Sequence, residues 1–396
     1  MQNSKFKILL GSYLSVVIGL FFYSFTQVDL GLTLSQWSVW QVFQKFFQQI
    51  GYFNRPLSTF FYLTILTLLF IFYIIFLILA YKKKLSKKQT WFIIASTSII
   101  LLFAYNAFSY DLFNYVFDVK IITFYHQNPY EHRALDYPGN PMLGFMHWTQ
   151  RTYPYGPFWL FLTVPFGFLD GFRLLLLTMM LFKGIAFVAF LGSAFGIWKI
   201  MQKISPENEL FATIFFALNP LVLIESLVSA HNDIVMMFLS IWSLYLLMDK
   251  KYFRSLILLV LSIAIKFATA FLIPVLLIVF FMQAWKKKIN WEIIFYALIT
   301  FMIAPVIAAS IRTNFQPWYL LYVLPFAAIL AKKYFVLIPV VIISFFALLQ
   351  YVPFLYLGNW DPPVPMILRW LMIISIIFSL FVTSFWFARG LLVRKR

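Results

Sequence analysis

The chain has 396 residues, of which 63% are hydrophobic and 11% charged, and its formal net charge is +18. A mean hydropathy of +0.88 excludes a soluble globular protein and indicates a polytopic membrane protein. The absence of cysteine excludes disulfides, zinc–thiolate sites and thiol catalysis, and basic residues confined to short runs between apolar segments do not predict nucleic-acid binding.

The apolar segments predict an all-α polytopic membrane protein with about twelve transmembrane helices. We expect one membrane domain over residues 1–396, because no polar block is long enough to fold separately. The predicted spans are residues 8–25, 57–80, 91–109, 174–198, 209–226, 234–248, 255–266, 268–284, 289–309, 318–331, 334–355 and 370–388.

The basic runs predict the orientation of these spans. If the N-terminus is cytoplasmic, the runs between spans all fall on the cytoplasmic side, which they normally occupy, and both termini are then cytoplasmic. Several cations fall on the opposite face and need either acidic partners or an anionic substrate. They are Arg133, Arg151, Arg173, Lys266, Arg312 and Arg369.

Two further pieces are predicted to lie at the outer membrane surface without crossing it. Residues 158–169 reach only ~18 Å as a helix, short of an apolar core of ~30 Å, so we interpret them as a re-entrant or interfacial segment. Residues 36–53, QWSVWQVFQKFFQQIGYF, have the aromatic content of an interfacial helix.

Residues 109–157 form the longest polar interval and are predicted to be an extracytoplasmic catalytic loop. If Ser109 caps a helix, the opposite arcs of that helix are polar and apolar, which predicts an amphipathic helix on the membrane surface with its apolar arc in lipid. The polar arc consists of Asp111, Asn114, Tyr115 and Asp118, and the apolar arc of Leu112, Phe113, Val116, Phe117 and Val119.

Asp111 and Asp118 are the strongest candidates for catalysis. Free backbone N–H groups and the helix dipole favour an ionised carboxylate in the first turn, as a general base requires. The alternative is structural, with Asp111 stabilising the helix start and Asp118 solvating the helix.

Two turns rich in aromatic and basic residues follow, and they flank an insertion, Ala134 to Gln150. The first is Asn128-Pro129-Tyr130 with Arg133, and the second contains Arg151, Tyr153 and Tyr155. A guanidinium in such a turn can bind a phosphate through two hydrogen bonds. The alternative is an ordinary interfacial loop.

Three later positions are candidates for binding the substrate, with the cations His231, Lys266 and Arg312 suited to its phosphate. His231 and Asp233 lie where one span ends and the next begins, although Asp233 could simply cap a helix. Lys266 interrupts an apolar run, but it could also extend to the interface, and Arg312 could pair with an acid. No ligand spacing supports a metal ion at the histidines, so no cofactor is expected, with a divalent cation as the alternative.

The order of these motifs resembles the GT-C membrane glycosyltransferases that take sugars from polyprenyl phosphates. The matching elements are Asp111 with Tyr115 and Asp118, then NPY, TYPYGP, NPLVLIESLVSAHND, IKF and QPWYLLYVLP. The chain is most similar to prokaryotic polyprenyl-phosphate-mannose-dependent mannosyltransferases and, more distantly, to the catalytic subunit of GPI mannosyltransferase I. It departs from the family pattern in two places. Many relatives have two adjacent acids where this chain has Tyr110-Asp111, and they lack the insertion Ala134 to Gln150.

The resemblance implies transfer of a hexose, mannose or another, from a polyprenyl-phosphate donor to a lipid-linked, glycan or protein acceptor, with inversion at the extracytoplasmic face of the cell membrane. It assigns the catalytic carboxylate to Asp111, with Asp118 as its companion. The remaining candidates would contact the donor phosphate or the sugar. A transporter or flippase of the cell envelope is the alternative function, and a non-catalytic envelope scaffold is a third.

Overall fold

The computed structural model describes residues 3–170 and 175–394, and in this part of the chain all regular structure is helical. Arg173 lies outside the described residues. The α-helices are α1 (Asn3–Ser24), α2 (Ser38–Gln48), α3 (Arg55–Tyr81), α4 (Lys87–Leu102), α5 (Asp111–Thr123), α6 (Pro157–Asp170), α7 (Leu175–Ile204), α8 (Glu209–Ala217), α9 (Pro220–Leu223), α10 (Asp233–Met248), α11 (Tyr252–Ile263), α12 (Ile273–Ala284), α13 (Trp291–Thr313), α14 (Leu324–Ile329), α15 (Tyr334–Leu349), α16 (Val352–Leu357) and α17 (Val364–Arg394).

Seven helical stretches among the described residues are long and apolar enough to cross a membrane, which confirms the predicted class of polytopic all-α membrane protein. They are Ser4–Gln27, Arg55–Tyr81, Leu175–Ile204, Phe267–Ala284, Trp291–Thr313, Tyr334–Leu357 and Val364–Arg389. An eighth span is formed if the pair Pro206–Ala217 and Pro220–Val228, bent by 56°, counts as one.

The expected count of about twelve spans is not confirmed, because four predicted spans fold as shorter helices. The longest of these, α4 and α10, have 16 residues each and therefore reach only ~24 Å. The segment at 318–331 forms a 3₁₀ turn, Pro317–Tyr322, followed by the 6-residue α14. Hydropathy alone cannot distinguish such short buried helices from spans.

The basic connections between helices gather at one end of the bundle. Lys203, at the end of α7, pairs with Asp249, just after α10. Lys333 pairs with Glu292 at the start of α13, with 2.8 Å between Nζ and Oε1, and Lys332 lies over the ring of Tyr81, at the end of α3. Helix α10 thus ends here and α13 starts here, and the other end of α10 reaches the candidate site described below.

Helix α5 does not lie in lipid, and this corrects the expected amphipathic surface helix. The side chains of both arcs are buried in protein, except that Asp118 is half-buried. The apolar arc packs against aromatic rings of the insertion 134–150. Phe145 meets Phe113 with ring centroids 5.1 Å apart, and Tyr137 meets Phe117 at 6.1 Å.

Backbone contacts also join the residues that flank the insertion on its two sides. Thr152 forms an antiparallel bridge with Arg133, and the amide of Tyr153 donates to the carbonyl of Pro129 at 2.9 Å. The two turns that flank the insertion are therefore neighbours. The chain between them covers α5 and excludes lipid from it.

Candidate functional site

Asp111 is the first residue of α5 and is only 4% exposed. Its backbone amide donates to Oγ of Ser109 at 3.2 Å, so Ser109 stabilises the start of the helix from two residues upstream. The carboxylate lies in the first turn, where free N–H groups favour negative charge. The structure thus places Asp111 where the sequence predicts a first-turn carboxylate.

Three side chains from distant segments surround the Asp111 carboxylate. Arg151 Nη2 lies 3.9 Å from Oδ1, His231 Nδ1 lies 3.6 Å from Oδ2, and the Tyr155 hydroxyl is 3.5 Å from Oδ2. Burial alone would raise the pKa of Asp111, but His231 and Arg151 lower it below its ordinary value. The group is therefore ionised at neutral pH, as a general base must be.

Asp118 lies further along α5 in a different electrostatic environment. Burial raises its pKa, Arg151 opposes the rise and the charge of Asp111 adds to it, with a result of about 8. Asp118 is thus mostly protonated at neutral pH while Asp111 is ionised. The two acids therefore differ in charge at neutral pH, and the protonated carboxyl of Asp118 can donate a hydrogen bond.

His231 lies between two carboxylates and is completely buried. Its Nδ1 faces Asp111, and its Nε2 lies 3.3 Å from Oε2 of Glu225. Burial alone would lower the pKa of the imidazole, but the two acids raise it to about 9. Neither ring nitrogen is turned towards space that a phosphate could occupy.

Lys266 and Asp233 form a second ion pair beside the first. Lys266 Nζ is 2.8 Å from each carboxylate oxygen of Asp233, the first residue of α10. The same ammonium lies 5.2 Å from the ring centroid of Tyr155. Lys266 therefore connects the start of α10 to the tyrosine that contacts Asp111.

The TYPYGP turn is positioned by backbone contacts with the residues just before Lys266. The amides of Gly156 and Phe158 donate to the carbonyls of Ile265 and Ala264, both at 2.9 Å. Tyr153 is buried, and its hydroxyl donates to the Gly156 carbonyl at 2.9 Å. The turn holds Tyr155 and Arg151 against Asp111, and Tyr153 braces it.

Two predicted site residues are not brought to this cluster. Arg133 is half exposed and pairs with Asp136, with 3.2 Å between Nε and Oδ1. Arg312 is exposed in the last turn of α13, with no ion pair to the described residues. Their contact with a donor stays a prediction.

Sequence reasoning missed two buried charged residues. Glu225 is fully buried on a π-helical turn, Ile224–Val228, and Lys183 is buried within α7. The signal was present in both cases, because an ionisable residue inside an apolar segment is a functional candidate. In the described part of the chain no group of three or more His, Cys, Asp or Glu side chains is placed to hold a metal ion, and cofactor independence stays a prediction.

A family model described as alpha-(1->6)-mannopyranosyltransferase, N-terminal domain, matches residues 14–282. The match covers more than half of the chain and includes every cluster residue described above from Asp111 to Lys266. No curated protein and no solved structure matches the chain.

The close approach of Gly156 to α11 gives a test of how the cluster is assembled. A Cβ at position 156 would lie 2.2 Å from the carbonyl oxygen of Ala264, a backbone atom that has little freedom to move. We expect Gly156→Ala to destabilise the protein by about 1–3 kcal/mol, measured as a lower melting temperature in detergent. The control is Gly139→Ala, since a Cβ there meets nothing within 4 Å. Equal melting temperatures for the two variants would contradict this packing.

Proposed function

The chain belongs to the alpha-(1->6)-mannopyranosyltransferase family, and on that premise we propose that it transfers mannose from a polyprenyl-phosphate donor to a hydroxyl of a lipid-linked or glycan acceptor. The observation that carries the proposal is the ionised, buried Asp111 between Arg151 and His231. A membrane mannosyltransferase needs a base for the acceptor hydroxyl and a cation for the departing phosphate, and this cluster offers both.

Asp111 acts as the general base. It removes the proton of the acceptor hydroxyl as that oxygen forms a bond to the anomeric carbon of the donor. The bond between that carbon and the phosphate oxygen breaks, and its electron pair leaves with the polyprenyl phosphate. The proton passes to the Asp111 carboxylate and from there to water.

Arg151 receives the charge that develops on the phosphate. Its side chain is 35% exposed, so one edge of the guanidinium remains available for the donor. An interaction of this kind speeds the reaction only if it strengthens as the phosphate departs. Tyr155 and Lys266 line the same cluster, and Asp118, protonated at neutral pH, donates a hydrogen bond to the substrate.

The stereochemistry follows from the geometry of a single displacement. The acceptor oxygen and the phosphate lie on opposite faces of the sugar, so the configuration at the anomeric carbon inverts. The family description names an α-(1→6) product. An α product formed with inversion requires a β-linked donor and a primary 6-hydroxyl as the acceptor.

The site is proposed to lie at the extracytoplasmic face. Lys203, Lys332 and Lys333 lie at the opposite end of the helices from Asp111, and basic connections are normally cytoplasmic. The same assignment makes the N-terminus cytoplasmic, since α1 ends near the candidate site, where Ser24 Oγ accepts from the amide of Tyr105 at 2.9 Å.

An apolar groove of about 310 Å³ supports a lipid-borne substrate. It lies between α2, α4 and α7, and the ring of Tyr105 in its wall is 6.3 Å from that of Phe113 on α5. One polyprenyl chain could lie here with its phosphate directed to the start of α5. The groove is lined by Phe25, Leu34, Trp37, Trp40, Phe103 and Met179, among others.

Replacing the base tests the reaction directly. We expect Asp111→Asn to lower transfer of labelled mannose from a polyprenyl-phosphate donor by about 10²–10⁴-fold, because the amide cannot accept the hydroxyl proton. Asp249→Asn, at the opposite end of the bundle, is the matched control and should transfer at the wild-type rate. Full activity of Asp111→Asn would remove the base assignment, and movement of intact donor without transfer would favour a flippase.

Asp118 should respond differently to the same substitution. Because its carboxyl is largely protonated at neutral pH, Asn is a neutral replacement of similar shape. We expect Asp118→Asn to lose less than about tenfold in rate at pH 7, which corresponds to about 1.4 kcal/mol. A loss as large as that of Asp111→Asn would show that Asp118 works as an anion.

A further inference from the structure

Glu225 is a fully buried acid that the proposed reaction does not use. It lies on the π-helical turn Ile224–Val228, in the second half of the bent helix pair. Its Oε1 accepts a hydrogen bond from the Tyr351 hydroxyl at 2.9 Å, and its Oε2 lies 3.3 Å from Nε2 of His231. A buried carboxylate is costly unless its charge is compensated, and His231 is the nearest group able to compensate it.

The position of His231 determines its protonation state. A neutral imidazole has one N–H, so one of its two nitrogens would direct a lone pair at a carboxylate. Neither ring nitrogen has a hydrogen-bond partner among the described residues, but an imidazolium, with an N–H on each side, pairs by charge with Asp111 at 3.6 Å and with Glu225 at 3.3 Å. The ring is also stacked on Trp318, with centroids 4.1 Å apart, so it cannot easily turn away from the acids.

The turn that carries Glu225 is itself held in place by a buried lysine. Lys183 Nζ donates to the carbonyls of Leu227 and Val228 at 2.6 Å and 2.8 Å. Carbonyls at the end of such a turn have no partner within the helix. Lys183, on α7, donates hydrogen bonds to these carbonyls. It thereby holds the backbone that connects Glu225 to His231.

We infer that Glu225 is a positioning residue for the proposed base, because it holds His231 as an imidazolium that is also paired with Asp111. The chain Asp111–His231–Glu225 thereby fixes both the orientation and the charge of the Asp111 carboxylate. The catalytic part of this inference rests on the proposed function, while the state of His231 does not.

The other charged and titratable groups nearby act on Asp111 and Glu225, the two acids on either side of His231. Arg151 and Lys266 act on Asp111, and Tyr351 and Tyr62 lie near Glu225. The two acids are the groups that stabilise the cationic ring itself. Loss of the Glu225 charge should therefore lower the pKa of His231.

The test is a pH titration of the histidine ring nitrogens by NMR, on the full chain labelled with ¹⁵N-histidine in detergent. The chain has only 4 histidines, and His231→Gln identifies the signal. We expect both nitrogens of His231 to carry protons at pH 7 in the wild type, with a pKa of about 9. Glu225→Gln should lower that pKa by about 1–3 units, and Glu225→Asp, which keeps the charge, should lower it less.

A neutral His231 at pH 7 in the wild type would overturn the inference even if Glu225→Gln failed to fold. An unchanged His231 titration in a folded Glu225→Gln variant would also overturn it. Glu292→Gln, at the opposite end of the bundle, is the control that should leave the titration unchanged.

Kinetics separate this inference from the proposed function. In Glu225→Gln the alkaline limb of the kcat/KM profile should move to lower pH with the His231 pKa, while the KM for the donor stays the same. A wild-type protein that transfers no mannose but shows the expected His231 titration would refute the proposed function. It would still support a cationic His231 between Asp111 and Glu225.

Discussion

The buried carboxylate of Asp111 is the constraint on which the rest of the site depends. An ionised group in a largely apolar helical protein costs several kcal/mol unless cations and hydrogen-bond donors surround it. Its partners come from the TYPYGP turn and from the residues before α10. These segments are distant in sequence, so the charge of Asp111 links the start of α5 to the turn at Tyr155 and to the start of α10.

Irregular backbone makes this convergence possible. The bend between α8 and the π-helical turn, the 3₁₀ turn Pro317–Tyr322 and the turn before α6 all bring side chains to the same end of the bundle. Unpaired backbone groups inside a membrane protein are tolerated only where protein satisfies them. Lys183 does this for the turn that carries Glu225, and the carbonyls of Ala264 and Ile265 do it for the turn at Gly156.

The sequence predicted the class of the fold, and it singled out Asp111, whose catalytic role stays a prediction. It did not predict the contacts around that residue. A first-turn carboxylate and an arginine in an aromatic turn have recognisable local patterns, so Asp111 and Arg151, which the structure brings together, could be singled out. The apolar arc of α5 was wrongly expected in lipid, because periodicity shows that a face is buried and not what buries it. The covering rings come from the insertion 134–150. Glu225 could not be placed beside His231, since the π-helical turn Ile224–Val228 and the positive φ of Ala230 set their separation, and regular helix periodicity predicts neither.

The most direct measurement is a structure of the protein with a phosphonate analogue of polyprenyl-phosphate mannose that cannot be transferred. The account predicts phosphonate oxygens within hydrogen-bond distance of Arg151, with the anomeric carbon facing an acceptor position beside Asp111. The opposite end of the bundle also has a cleft, of about 230 Å³, with Lys332 and Lys333 in its wall. A phosphonate bound in that cleft, with the start of α5 empty, would contradict the account.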